Sequence, residues 1–384
     1  MALLSRFVAT SPPYIMSQAH SLDWLARAHA HSEAAATGLD ASAREEFADK
    51  IARLLGRVAC SADIIATRAS VLPDFTTCDR DGSVLNMLYD DPHTTVAVPS
   101  PHGRCASTRA RLYGRAVDAY FARQYGGEVE PPDDLIHVTC TGYVSPSGAQ
   151  KVVAARGWGA RTRVTHAYHM GCYAALPAVR IAAGFVANGS AQVDIVHTEL
   201  CSLHLDPADH RVEQLVVQSL FSDGLIRYSL VADDHGPGLC PLAGCEVVVP
   251  ESADAMRWLP SEWGMQMTLA RDVPERVASV LRGFVTELFR RAGLGLAAIK
   301  RSVFAVHPGG PEIIDRFRDV LELDEEQLRA SRDILLDHGN MSSATLPHIW
   351  MRLLGDPRVQ RGTLIASLAF GPGLTVCGAL LEKR

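Results

Sequence analysis

Short apolar runs alternate with amphipathic stretches along the whole chain. The runs "LIHVTCTG" (135–142), "QVDIVHTEL" (192–200), "IRYSLVA" (226–232), "EVVVP" (246–250), "SVFAVHP" (302–308) and "TLIASLAFG" (363–371) predict strands. Several are apolar on both faces, which predicts a sheet covered by helices on both sides. Between 271 and 294, Val277, Val280, Leu281, Phe284, Val285 and Leu288 recur at helical spacing. Asp272 ahead of Pro274 predicts where that helix begins, and Gly293 where it ends. A second helix is predicted over 325–337, stopped by Gly339. This alternation is that of a layered α/β fold. The turn-rich stretch "ADDHGPGLCPLAG" (232–244) predicts a division into an N-terminal half, 1–236, and a C-terminal half, 237–384. No repeat is visible by residue identity.

A chain of 384 residues is too long for one small core, which agrees with two halves. Hydrophobic residues make up 47% and charged residues 21%, which excludes a disordered chain. The net charge is −6 and no basic stripe or Lys/Arg cluster occurs, so neither nucleic acid nor a membrane surface is an expected partner. "MALLSRFVAT" has only a short apolar run before Arg6, and no stretch reaches the ~18 apolar residues of a membrane span. The expected setting is cytoplasmic. Nine cysteines (Cys60, Cys78, Cys105, Cys140, Cys172, Cys201, Cys240, Cys245, Cys377) are odd in number and scattered, as suits reduced thiols. Cys240 and Cys245 have no second ligand pair nearby, so no metal is expected. His29 and His31, two apart on a predicted helix, are expected to be solvated on different faces. No phosphate loop or dinucleotide fingerprint appears, and no cofactor is expected.

Three stretches carry chemistry. In "MGCYAALPAVRIAAGF", Cys172 stands at or just before a helix start, where unpaired N–H groups and the positive dipole end favour thiolate over thiol. Ala174 and Ala175 would let that helix end lie deep, and Pro177 falls near the end of its first turn. In "FAVHPGG", His307 ends an apolar strand ahead of a turn; in "DHGNMSSAT", Asn340 follows a helix-ending Gly339. Taken singly these read as a core cysteine, a strand-ending histidine and a turn asparagine.

Taken together, and with "VTCTGYVSPSG" before them, "LFSDG" (220–224) between and "FGPG" (370–373) after, they resemble the type III polyketide synthases, the chalcone-synthase-like branch of the thiolase superfamily. The resemblance covers nearly the whole chain. It implies a duplicated five-layered α/β/α/β/α thiolase fold and a homodimer. It makes Cys172 the acylated nucleophile, His307 its ion-pair partner, and His307 with Asn340 the oxyanion hole. Along the substrate tunnel it places Cys140, Ser342 and the Gly371-Pro372-Gly373 turn. The two positions that are often aromatic gates fall on His204 and Met267, which implies a differently shaped tunnel.

A second departure concerns the carrier. The family's plant members hold the coenzyme A phosphates with basic residues on a helix; an ungapped alignment through Arg68 puts those positions on Leu55, Val58 and Ala62, with Arg53 and Arg57 close by. Substrates would then arrive on an acyl carrier protein, whose phosphopantetheine arm lacks the adenosine phosphates. Three readings follow. One is a ketosynthase that joins two β-ketoacyl chains from carrier proteins and releases an α-pyrone, like those of the myxopyronin and corallopyronin antibiotic pathways. Another is a conventional type III synthase extending an acyl-coenzyme A starter with malonyl units to a pyrone or resorcinol. The third is an inactive thiolase-fold partner, against which Cys172, His307 and Asn340 all count.

Overall fold

The two-sided apolar runs pair into one sheet in a computed structural model that describes residues 2–76 and 100–384. Cys78 lies outside the described residues. Strands β1 (Leu3–Thr10), β4 (Asp134–Thr139), β5 (Arg163–Tyr168), β6 (Gln192–Glu199) and β7 (Gly224–Val231) form the N-terminal part of the sheet. The C-terminal part is β8 (Leu239–Val248), β11 (Val303–Val306), β12 (Leu364–Gly371) and β13 (Thr375–Lys383). Two antiparallel pairs stand apart: β2 (Tyr14–Ser17) with β3 (Thr67–Ser70), and β9 (Met256–Pro260) with β10 (Met265–Leu269).

The spatial order is β11-β12-β13-β8-β1-β7-β6-β4-β5, and the two parts meet through one residue pair, Leu4 with Leu239. In the first part β4 runs parallel to β6, and β6, β7 and β1 are successively antiparallel. In the second part β11 runs parallel to β12, and β12, β13 and β8 are successively antiparallel. The orders β1-β7-β6-β4 and β8-β13-β12-β11 therefore match in sequence order and direction. The halves are a topological duplication that residue identity conceals.

Helices α1 (Gln18–Thr37), α2 (Ala41–Val58), α3 (Ala106–Gln124) and α4 (Gly148–Ala155) cover the outer face of the N-terminal sheet. Between the sheets lie α5 (Ala175–Ala187) and, later in the chain, α11 (Thr345–Gly355). The remaining helices are α6 (Val212–Leu220), α7 (Val273–Arg291), α8 (Leu296–Ile299), α9 (Pro311–Leu321) and α10 (Glu325–His338). From α7 to α10 they cover the outer C-terminal face. Ala174, Ala175, Ala178 and Ala182 are buried on α5 or at its entry, and these small side chains let it pass between two sheets. The layers are helix, sheet, helix, sheet, helix.

The predicted helix at 271–294 forms as α7, with Asp272 at its N-cap and Pro274 in the first turn. Val277, Leu281, Phe284, Val285 and Leu288 are buried, each contributing about 1.5–3 kcal/mol relative to exposure. Helix α10 opens with a reciprocal capping box between Asp324 and Gln327. Two expectations are corrected. β8 begins at Leu239, inside the turn-rich stretch, and Pro241 is accommodated where the β13 ladder shifts register, between Leu380 and Leu381. His29 is buried, not solvated: its Nε2–H donates to Gln218 Oε1 at 3.1 Å and its Nδ1 pairs with His210 Nδ1 at 2.8 Å. No helix among the described residues is long and apolar enough to cross a membrane.

Candidate active site

The central helices both begin in a 3₁₀ turn, Gly171–Tyr173 ahead of α5 and Ser342–Ala344 ahead of α11. The duplication turns these two starts toward one another. Cys172 sits in the first turn and Ser342 opens the second, with Cys172 Sγ 3.8 Å from Ser342 Oγ. The loops after the matching strands β4 and β11 supply Cys140 and His307. Asn340 lies just ahead of Ser342, pinned by its own N–H to Leu220 O (3.0 Å) and by Ser222 N–H to its carbonyl (2.8 Å). Cys172, His307 and Asn340 line one cavity and all three are buried.

Asn340 Oδ1 accepts from the Ser342 N–H at 2.9 Å, which leaves the amide NH₂ as the free end of the side chain among the described residues. His307 hydrogen-bonds through neither ring nitrogen among the described residues. Its ring is held by packing, edge-on to Phe370 at 5.9 Å between centroids. Burial lowers its pKa to about 3, so the imidazole is neutral. Burial also pushes the Cys172 thiol up to about 12. That is opposite to the direction expected from a helix N-terminus. Desolvation of the fully buried thiolate acts against the dipole, burial likewise disfavours the charged imidazole, and no hydrogen bond joins His307 to Cys172 among the described residues.

Behind Cys172 runs a polar chain. Ser342 Oγ, on a residue at φ +51, lies 3.2 Å from Cys140 Sγ, and Cys140 Sγ lies 3.5 Å from Glu199 Oε2. Glu199 ends β6 and is fully buried; Thr141 Oγ1 donates to it at 2.8 Å, the Cys140 N–H at 3.1 Å, and Ser343 Oγ bonds its other oxygen. Burial raises its carboxyl pKa. Sequence reading missed Glu199. The available signal was a carboxylate closing the otherwise apolar run "QVDIVHTEL".

The close approach of two turns depends on glycine. Gly171 has φ +71, and a Cβ there would stand 2.6 Å from Pro372 Cδ; a Cβ on Gly371 would stand 2.6 Å from Tyr173 Cδ1. Pro372 and Cys172 line a common cavity. Gly171→Ala should cost about 1–3 kcal/mol from left-handed strain and overpacking, read from the urea midpoint, and should slow alkylation of Cys172.

Two cavities meet at Cys172. The first, about 860 Å³, runs past Arg68, Cys140, His204, Trp258, Trp263 and Met265. The second, about 1120 Å³, runs past His307, Asn340, Phe370, Pro311, Glu312 and Val58. Cys172, Val217, Phe221, Met256 and Met267 border both, so Met267 stands at the junction. His204 is a fixed wall: its Nε2–H donates to Thr141 O at 2.7 Å and its Nδ1 accepts from the Met265 N–H at 3.0 Å. Burial keeps it neutral, with its pKa lowered to about 4. Aromatic rings do line the first cavity, but they come from Trp258, which donates to Cys140 O at 2.6 Å, and from Trp263 and Phe221. The β9–β10 pair sets Trp258 opposite Met267.

Of the three aligned carrier-grip positions, Leu55 is buried in the α2 core and faces no ligand. Val58 borders the second cavity, whose described lining contains Glu312 and no Lys or Arg. Ala62, Arg53 and Arg57 are exposed nearby.

Comparison with known proteins gives a consistent picture. Residues 242–383 match the family described as chalcone and stilbene synthases, C-terminal domain. The chain is similar to type III polyketide synthase C of Arabidopsis thaliana, 30% identical over 270 residues, which cover 68% of this chain and 70% of that one. It is similar to 1,3,6,8-tetrahydroxynaphthalene synthase of Streptomyces coelicolor, 31% identical over 247 residues, covering 63% and 64%. In structure it is similar to the C-terminal type III polyketide synthase domain of Steely1, a type I/III hybrid from Dictyostelium. The TM-score is 0.80 at 22% identity, and the match covers 100% of this chain and 99% of that one. The expected thiolase fold class is the one observed.

Proposed function

The chain belongs to the type III polyketide synthases, and from that premise we propose that it joins two β-ketoacyl chains, delivered on acyl carrier protein, and releases an α-pyrone. The observation that carries this reading is the meeting of two cavities at one thiol, Cys172. An enzyme that only extends a growing chain needs one arm for that chain and one for the incoming pantetheine. Two arms, both largely apolar, also suit two chains.

The chemistry needs no group beyond the side chains present. Cys172 Sγ attacks an acyl thioester; its proton goes to the neutral His307, and the carrier thiolate leaves and is protonated. Once His307 has passed its proton to the departing carrier thiolate, a second β-ketoacyl thioester gives its α-proton to His307 and becomes an enolate. His307 N–H and the Asn340 amide donate to the oxygen on which that charge sits. The carbanion attacks the Cys172 thioester, the carbon–carbon bond forms, and the Cys172 thiolate departs and takes that proton from His307. An enol oxygen of the joined chain then attacks the remaining thioester carbonyl, closing the pyrone and releasing the carrier thiol.

Delivery by carrier protein rests on the second cavity, where Glu312 is the only charged residue among the described lining. The adenosine phosphates of coenzyme A would meet no cation on that lining, and each missing charge-assisted contact is worth about 1.5–3 kcal/mol. Exposed Arg53 and Arg57 suit an acidic carrier helix docking outside. Strand β5 lies at the sheet's edge with one ladder unpaired among the described residues, which supports pairing with a second copy in a homodimer.

The test is a direct competition. Two β-ketoacyl carrier-protein thioesters are set against an acyl-coenzyme A starter with malonyl-coenzyme A, and products are read by mass spectrometry. Carrier-bound chains should be joined faster than the same chains on coenzyme A, giving a pyrone with the mass of both chains. Efficient malonyl extension from the coenzyme A starter, with no gain from carrier protein, would leave the conventional type III synthase instead.

A further inference from the structure

The first cavity is apolar along Met16, Leu205, Val217 and Met256, yet it holds a buried cation, Arg68 on β3. Arg68 is 3% exposed. Its Nε–H donates to Gln18 Oε1 at 2.9 Å, and Nη1 donates to Gln218 O at 2.7 Å and Phe221 O at 3.1 Å. The last two are carbonyls at the C-terminal end of α6, a natural seat for a cation. All three partners are neutral. Nη2, with its two N–H groups, has no hydrogen-bond partner among the described residues.

Carboxylates elsewhere around the cavity are committed. Asp223 accepts from the Ser202 hydroxyl and the Val71 N–H, and Glu199 from Thr141 and Ser343. Burial draws the guanidinium down only to about 10, so it stays charged at neutral pH. An unpaired donor of this kind is costly in an apolar wall unless a ligand completes it. A saturated chain cannot do so. A chain bearing an oxygen can.

We propose that Arg68 Nη2 is an oxygen subsite of the first cavity, which takes a keto or enolate oxygen of the acyl chain carried by Cys172 and so selects oxygenated chains over saturated ones. The subsite rests on the reading of Cys172 as the acyl acceptor. It adds a reason for β-ketoacyl substrates that lies in the protein and not in their reactivity alone. The rival role is purely structural: Arg68 clamps the end of α6, from which Leu220 reaches Asn340.

The experiment separates these roles by a ratio. Acylation of Cys172 is timed by intact mass with 3-oxoacyl and saturated acyl N-acetylcysteamine thioesters of equal length. Each rate is divided by that of the same thioester with free cysteine, which removes intrinsic reactivity. Wild type should then favour the 3-oxo chain by about tenfold or more, the worth of a charge-assisted hydrogen bond. Arg68→Gln should bring the ratio toward one, whatever loss both substrates share; a structural clamp would slow both alike and keep the ratio. No normalised preference in the wild-type protein overturns the subsite without any variant needing to fold. A preference that Arg68→Gln and Arg68→Met both retain overturns it too. Absence of any adduct on Cys172 overturns the acyl-acceptor reading, and this subsite with it.

Discussion

Cys172→Ala should leave a folded protein that forms no acyl adduct and turns over at least ~10⁴-fold more slowly. The size follows from what the thiol is asked to do. It holds one chain covalently while the second is activated, so without it the two reactants must meet as separate thioesters in the right pose. The fold should survive because the thiol makes one long contact, 3.8 Å to Ser342 Oγ, and alanine is tolerated in the 3₁₀ turn it occupies. Buried Cys140 is the internal control: it is the neighbouring thiol, with its pKa raised well above the ordinary range by burial and by Glu199. Adduct on a Cys140-containing peptide of Cys172→Ala, with turnover kept, would move the nucleophile. Circular dichroism and the urea midpoint establish that the variant is folded; peptide mapping after incubation with an acyl thioester shows which thiol carries the chain.

Much of this was legible in the sequence where apolar spacing alone decides the structure. The α7 helix, five of the six apolar strands and the turns carrying Cys172, His307 and Asn340 read correctly, because each is specified by neighbours within one or two turns of chain, whereas "EVVVP" caught only the end of β8. Strand β1 did not, since Arg6 at φ +56 and a register irregularity between Ser5 and Val8 interrupt its alternation. The duplication was illegible because it lives in strand order and direction. Electrostatics was the least legible. The helix-start argument for a thiolate at Cys172 omitted burial, which depends on two sheets closing over the turn. His29 read as solvated because its partner, His210, is 181 residues away. Arg68 served only as an alignment anchor, although an arginine between strand-forming residues in "IIATRAS" is itself a sign of a buried cation.

His307→Ala and Asn340→Ala should each slow condensation by ~10²–10³-fold, and the double variant by much less than the product. Both side chains offer N–H groups toward the cavity that Cys172 shares. His307 has no competing hydrogen bond among the described residues, and Asn340 has its oxygen tied to Ser342. Two donors that serve one oxygen lose most of their joint value when either is removed, which is why the penalties should not multiply. The two variants should differ at the first step. A neutral imidazole can accept the thiol proton, so His307→Ala should also slow acylation of Cys172, whereas Asn340→Ala should spare it and act on carbon–carbon bond formation. His307→Gln keeps an N–H donor but offers no comparable base, so it should restore part of the condensation loss and little of the acylation loss. Separate timing of adduct formation and product release by mass spectrometry resolves the two steps. Equal acylation rates in His307→Ala and wild type would remove His307 from the proton transfer, and normal turnover of both alanine variants would remove the oxyanion assignment altogether.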